Sequence, residues 1–120
     1  MTQYLISFEN GAMDHIPEGD FPEVGKAAHA VCREARDAGA LVFGAGLDYD
    51  DVEHAVVGTD GTITDGPYPA SKERIGGMMI VEVPTREAAL EWAAKVAVAC
   101  RCAQDVRKFM YDPEMVRPRE

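Results

Sequence analysis

One histidine and one carboxylate have the chemistry for proton transfer to and from a small molecule. His29 falls in a predicted helix, and an imidazole exchanges a proton near neutral pH. Asp65 opens the turn Asp65-Gly66-Pro67, and a carboxylate can fix the tautomer of a histidine and stabilise its charged form. We predict a catalytic His29–Asp65 pair, formed within one chain or across a dimer. The alternatives are a surface histidine and an aspartate that bonds the backbone of its own turn.

The direction of His29 on its helix limits how a site could form. Val24, Ala28, Val31 and Ala35 recur at helical spacing and, at about 100° per residue, point within about 40° of one direction. His29 points about 140° away from Val24. It is therefore not expected to face the core, and a loop or a partner chain would have to complete a pocket around it.

The residues after the turn are candidates for contacts with a substrate. Tyr68 could stack on a ring, although packing within the fold is the alternative. Ser71 and Lys72 could bind polar groups at the mouth of a cleft, or belong to a solvated turn. Gly76-Gly77 lacks the flanking pattern of a phosphate-binding loop, so we expect it to allow close strand approach.

The sequence predicts neither a metal nor a cofactor. Its three cysteines, Cys32, Cys100 and Cys102, do not complete a four-ligand zinc set, and an odd number favours reduced thiols. The acidic run between positions 48 and 53 lacks the spacing of an EF-hand loop. A nucleophilic elbow of the Gly-x-Ser-x-Gly type is also missing from the sequence, so nucleophilic catalysis has little support.

Length, charge and hydropathy restrict the class of protein. The 120 residues suit one domain, predicted over 1–111 with a tail over 112–120. The net charge of −9 disfavours nucleic acid as a partner. No apolar run is long enough for a membrane span, and the N-terminal stretch does not resemble a signal peptide. These features predict a cytoplasmic protein that binds neither nucleic acid nor membranes.

The apolar periodicity predicts the order of the secondary-structure elements. Asp20 and Thr85 are the expected N-terminal caps of two helices, and Gly39 is expected to end the first. An Asp-Gly turn at 59–61 predicts a small hairpin. The predicted strands are 4–8, 41–47, 54–57, 62–64, 78–83 and 106–111, and the predicted helices are 22–38 and 86–99.

This order predicts an α+β fold. Without the hairpin it is βαββαβ, the order of a ferredoxin-like sandwich with one antiparallel sheet and both helices on one face. The other sheet face would be left bare, which a single domain rarely tolerates. We therefore expect two copies to stack sheet on sheet as a homodimer, a dimeric α/β barrel.

Three stretches resemble the YCII-related family, whose signature is a DGPF motif. They are "TDGPY" followed by Lys72-Glu73 and Gly76-Gly77, "AHAVCREARDAGALVFGAGL", and "VPTREAALEWAAK". Tyr68 replaces the usual Phe of the motif, and the resemblance covers roughly residues 2–110. It implies the same fold and dimer. The sequence departs from the family in the extra "MDHIPEGD" of the first loop and in the tail after Tyr111, so the substrate does not carry over.

The resemblance does not decide whether the protein is an enzyme or a non-catalytic binding protein. A few relatives resemble small enzymes that act on ring lactones or chlorinated intermediates, with a histidine and an aspartate proposed as their site. This implies a cofactor-independent lyase or isomerase acting on a small organic molecule. The alternative is a non-catalytic dimeric module that binds a metabolite or a regulatory partner, since related DGPF proteins accompany sigma factors. Oxidation of a haem or aromatic substrate is a third hypothesis, based on fold analogy alone.

Overall fold

A computed structural model describes residues 1–48, 54–66 and 74–117 of the chain. Its elements are six strands and two helices, with short 3-10 turns at Glu18–Asp20 and Pro113–Met115. The strands are β1 (Thr2–Glu9), β2 (Leu41–Gly46), β3 (Ala55–Val57), β4 (Ile63–Asp65), β5 (Ile75–Val83) and β6 (Asp105–Lys108). The helices are α1 (Phe21–Asp37) and α2 (Arg86–Cys100).

Four strands form one antiparallel sheet in the order β2-β5-β1-β6. Each helix connects two strands that are separated by a third, α1 from β1 to β2 and α2 from β5 to β6. This split β-α-β arrangement is compatible with the predicted ferredoxin-like fold. Strands β3 and β4 pair only with each other among the described residues, which confirms the predicted hairpin.

The core lies between the helices and one face of the sheet. Ile6 and Val81 are the largest side chains that are completely buried, and they stand on adjacent central strands. From α1 the core receives Val24 and Ala35, as the helical periodicity predicted. Trp92 of α2 is only partly buried and packs against this core. Because strand side chains alternate between faces, Leu5 and Ile80 point to the opposite face.

The helix ends follow the predicted boundaries, but one capping interaction differs. Thr85 accepts a hydrogen bond from the backbone N–H of Ala88 at 3.1 Å, so it caps α2 as predicted. Asp20 precedes α1 but makes no side-chain cap. Its carboxylate instead accepts a hydrogen bond from Arg101 Nη1 at 2.8 Å, which joins the start of α1 to the end of α2. Gly39 follows α1 with φ +75°, as a glycine after a helix does.

Candidate functional site

A cavity of about 390 Å³ lies between α1, the end of α2 and the β2 side of the sheet. Most of its lining is apolar, and a pocket with an apolar lining and few polar groups is typical of a small-molecule site. Met13, from the long first loop, closes part of the wall. This loop carries the stretch "MDHIPEGD", and its sequence gave no sign that Met13 would reach the cavity.

Glycines on the sheet side make room for this cavity. Gly44 and Gly46 of β2 line it, and a Cβ at Gly44 would meet Cys32 Sγ at 3.7 Å. Gly77 lies directly opposite Phe8 in the β1–β5 register, and a Cβ there would come within 2.5 Å of the Phe8 ring. The pair Gly76-Gly77 therefore permits close approach, as predicted from its sequence context.

His29 stands on α1 at the edge of this cavity. Its side chain is exposed, which agrees with the direction predicted from the helical angle, and it nevertheless contributes to the lining. Gly25, one turn earlier on the same helix, lines the cavity beside it. His29 is the one imidazole among the described lining residues, so it can present a proton donor or acceptor to a molecule held there.

Asp65 occupies the last position of β4, where it pairs with Ala55 in the hairpin. Its side chain is exposed. Asp65 is not among the described residues that line the cavity, and no hydrogen bond joins its carboxylate to His29 within the described protomer. The predicted His29–Asp65 pair, within one chain or across a dimer, stays a prediction.

The glycine in the turn after β4 is explained by a contact with a side chain that the sequence did not suggest. Gly66 does not have a positive φ, so its backbone conformation does not explain why glycine stands here. A Cβ at Gly66 would instead lie 2.4 Å from Cδ2 of His54. The backbone N–H of Gly66 also donates to the carbonyl of His54 at 2.8 Å. Glycine is required here because the His54 ring lies against the backbone.

The remaining predicted contact residues, Tyr68, Ser71 and Lys72, lie outside the described residues. Their predicted roles therefore stay predictions.

A family model for the YCII-related domain matches residues 23–103, which is 81 of the 120 residues. The chain belongs to the YCII-related family. The search of curated proteins found no match. The YCII-related region runs from the first turn of α1 to the loop after α2, so it contains both helices and the glycine-bearing strands β2 and β5. Strand β1, the first loop and β6 lie outside it.

The thiols of this YCII-related protein are free, and two of them lie near the end of α2. Burial raises the pKa of the Cys100 thiol, and the neighbouring Cys102 and Cys32 raise it further. Burial also raises the pKa of Cys102, against a hydrogen bond from Gln104 that lowers it. A raised pKa keeps these thiols protonated near neutral pH, which does not favour a nucleophilic role.

No three His, Cys, Asp or Glu side chains in the described ranges are grouped so that they could hold a metal ion. Neither described helix combines the length and the apolar character that crossing a membrane requires.

Proposed function

We propose that this YCII-related protein binds a small, mainly apolar organic molecule in the cavity between its helices and its sheet. The position of His29 beside an apolar cavity of about 390 Å³ carries this proposal. An apolar body would be held by burial of its surface, and the imidazole would orient one polar group. A volume of about 390 Å³ is at the small end of the range for small-molecule sites, so we propose single-ring compounds as the ligands.

The second part of the proposal is chemical. His29 serves as the acid or base in a proton transfer of the lyase or isomerase type, without a cofactor. An imidazole beside an apolar wall can remove a proton from a carbon next to a carbonyl while the wall holds the apolar body of the molecule. Asp65 of a second copy would orient the ring if the hairpin reaches across a dimer.

The dimer is itself a proposal, supported by the open face of the sheet. Ile80 pairs with Leu5 on one side and with Phe43 on the other, so the three side chains form an apolar row across three strands. The Phe43 side chain is 55% exposed, although it is a large aromatic residue. Apolar rows of this kind are commonly covered in solution, and stacking two sheets by a two-fold axis would cover both copies at once.

Binding is tested with a neutral single-ring probe, cyclohexanone, and a variant that fills the cavity. Ala28 lines the cavity from α1, whereas Ala30 on the same helix is exposed. We expect cyclohexanone to raise the melting temperature of the wild type and of Ala30→Leu, but not that of Ala28→Leu. Equal stabilisation of both variants would place the probe elsewhere and overturn the proposed site.

Catalysis is tested separately from binding by deuterium exchange. Cyclohexanone carries exchangeable protons beside its carbonyl, and their replacement in D2O is followed by NMR. We expect the wild type to accelerate this exchange and His29→Gln to lose the acceleration while still binding the ketone. If the wild type binds the ketone without accelerating exchange, the non-catalytic binding module is the correct function.

A further inference from the structure

A second cleft, of about 630 Å³, lies at the end of the sheet where β1 ends and β5 and β6 begin. Its character differs from that of the apolar cavity, since arginine, histidine, glutamine and serine side chains contribute to its lining. None of these side chains was predicted to belong to a site. Two of them, Arg74 and Arg107, come from different strand ends and face the same cleft.

Arg74 holds a buried donor that has no hydrogen-bond partner in the described part of the chain. Its Nε is out of contact with solvent and makes no hydrogen bond to any described residue. A guanidinium stays charged at all ordinary pH values and has five N–H donors, so the part of the Arg74 side chain that lines the cleft can donate to a ligand there, whereas Nε itself is out of contact with solvent. The Arg74 carbonyl accepts a hydrogen bond from the backbone N–H of Asn10, which fixes the backbone from which the side chain extends.

Arg107 provides a second guanidinium that is only partly engaged. Its Nε lies 3.1 Å from Asp105 Oδ2, and its Nη2 donates to Ser7 Oγ at 3.5 Å. Ser7 is 2% exposed, so its hydroxyl is held inside the protein at the base of the cleft. Because that hydroxyl accepts from Arg107, its own proton is available to donate to a ligand.

The charges of the cleft favour an anionic ligand with a single negative charge. Asp105 offsets part of the charge on Arg107, and Glu9 adds another carboxylate to the lining, whereas Arg74 has no ion-pair partner in the described ranges. The two guanidiniums are balanced by two carboxylates, so Asp105 and Glu9 repel a dianion more strongly than a ligand with one negative charge. The fork of donors on a guanidinium matches the two oxygens of a planar carboxylate.

We propose that this cleft binds the carboxylate group of a small organic acid, anchored by Arg74 and Arg107 with Ser7 as a further donor. The three anchoring residues do not line the apolar cavity, although Phe8 and Gln104 line both. Arg107 is the register partner of Leu5 and so lies on the sheet face proposed for the dimer. Acetate binding requires neither His29 nor that dimer, so either proposal can fail without the other.

The test uses acetate as a probe that has a carboxylate and almost no apolar body. Binding is measured by NMR titration at constant ionic strength, with acetamide as the neutral molecule of the same shape and phosphate as the competing anion. We expect saturable shifts with acetate and none with acetamide. Arg74→Gln should weaken acetate binding by about tenfold or more, the amount expected for a charge-assisted hydrogen bond.

Arg86→Gln is the matched control, because Arg86 is exposed and follows the far end of β5. It removes the same charge from the protein and should leave acetate binding unchanged. Arg107→Gln changes a side chain that is about half exposed, so it tests the site even if Arg74→Gln does not fold, and it should weaken acetate several-fold. Cyclohexanone binding should survive in both cleft variants.

Three results would overturn the proposal. The first is that acetate shows no saturable binding to the wild type. The second is that Arg107→Gln and a folded Arg74→Gln bind acetate as the Arg86→Gln control does. The third is that phosphate binds more tightly than acetate, which would assign the cleft to a phosphate group instead.

Discussion

The ring of Phe8 occupies the space above Gly77 that a side chain on the neighbouring strand would fill. The two residues are register partners in β1 and β5, and a Cβ on Gly77 would lie 2.5 Å from Cζ of the ring. Phe8 also lines the apolar cavity. The shape of the proposed binding site thus depends on a residue that has no side chain.

Replacing Gly77 with Ala should destabilise the protein by about 1–3 kcal/mol, because the Phe8 ring must leave its position. The free energy of unfolding is measured in urea. Gly46→Ala is the control, since its nearest contact would be an ordinary 3.8 Å. In a double variant, Phe8→Leu should recover part of the loss, because the smaller side chain makes room. If Gly77→Ala is as stable as Gly46→Ala, the Phe8 ring moves aside without a measurable cost in free energy.

Arg101 is the single described non-glycine residue with a positive φ, at 56°, and it ends α2. Its ion pair with Asp20 is about half exposed and so contributes little stability. Arg101→Ala loses the ion pair and keeps the strained backbone, whereas Arg101→Gly relieves that strain. We expect the Gly variant to be more stable than the Ala variant by about 1 kcal/mol in urea unfolding. Equal stabilities would contradict this account.

The Cys100 thiol should make stability depend on alkaline pH. Since burial raises its pKa in the folded state, the unfolded chain loses the proton first as the pH increases. This contribution to stability is complete below the unfolded pKa and is lost as the pH rises through the folded one. The free energy of unfolding, measured from about pH 7 to about pH 10, should fall less steeply in Cys100→Ala than in the wild type. Parallel curves would exclude this thiol as the cause.

Phe43 is the test of the proposed sheet-to-sheet dimer. We expect the wild type to have a dimeric mass at micromolar concentration and Phe43→Lys to be a monomer, because a buried lysine without a partner is costly at an interface. Val98→Lys is the control, as Val98 is an 80% exposed apolar residue on α2. It should remain dimeric. A monomeric wild type, measured by light scattering, would remove the support for a site completed across two chains.

The architecture followed closely from the sequence because its elements depend on local patterns. The apolar face of α1, which includes the buried residues Val24 and Ala35, repeats every three or four residues. Thr85 caps α2 by bonding a residue three positions later. Both features can therefore be predicted from a short stretch of sequence. Strand β5 begins at Ile75, three residues before the predicted start, because its glycines continue the pairing with β1. Strand β6 is shorter than predicted and ends at Lys108.

The sites were less accessible to sequence reasoning because they depend on contacts between distant segments. The exposed direction of His29 followed from the helical angle, but the cavity beside it requires Met13 from a loop. Arg74 follows Lys72-Glu73 in the sequence, and only the structure shows that its side chain lines a cleft together with Arg107. No spacing rule relates two arginines on separate strand ends.

Phe8 and Gln104 line both cavities, so the apolar site and the polar cleft have a common wall. The binding of two ligands that share a wall is thermodynamically linked. If an acid in the cleft changes the affinity for a ring compound by some factor, the ring compound must change the affinity for the acid by the same factor. Titrating one at several fixed concentrations of the other measures that factor directly. A Phe8 variant changes both sites at once. Variants of residues that line only one of the two, such as Ala28 or Arg107, change the affinity of one site alone.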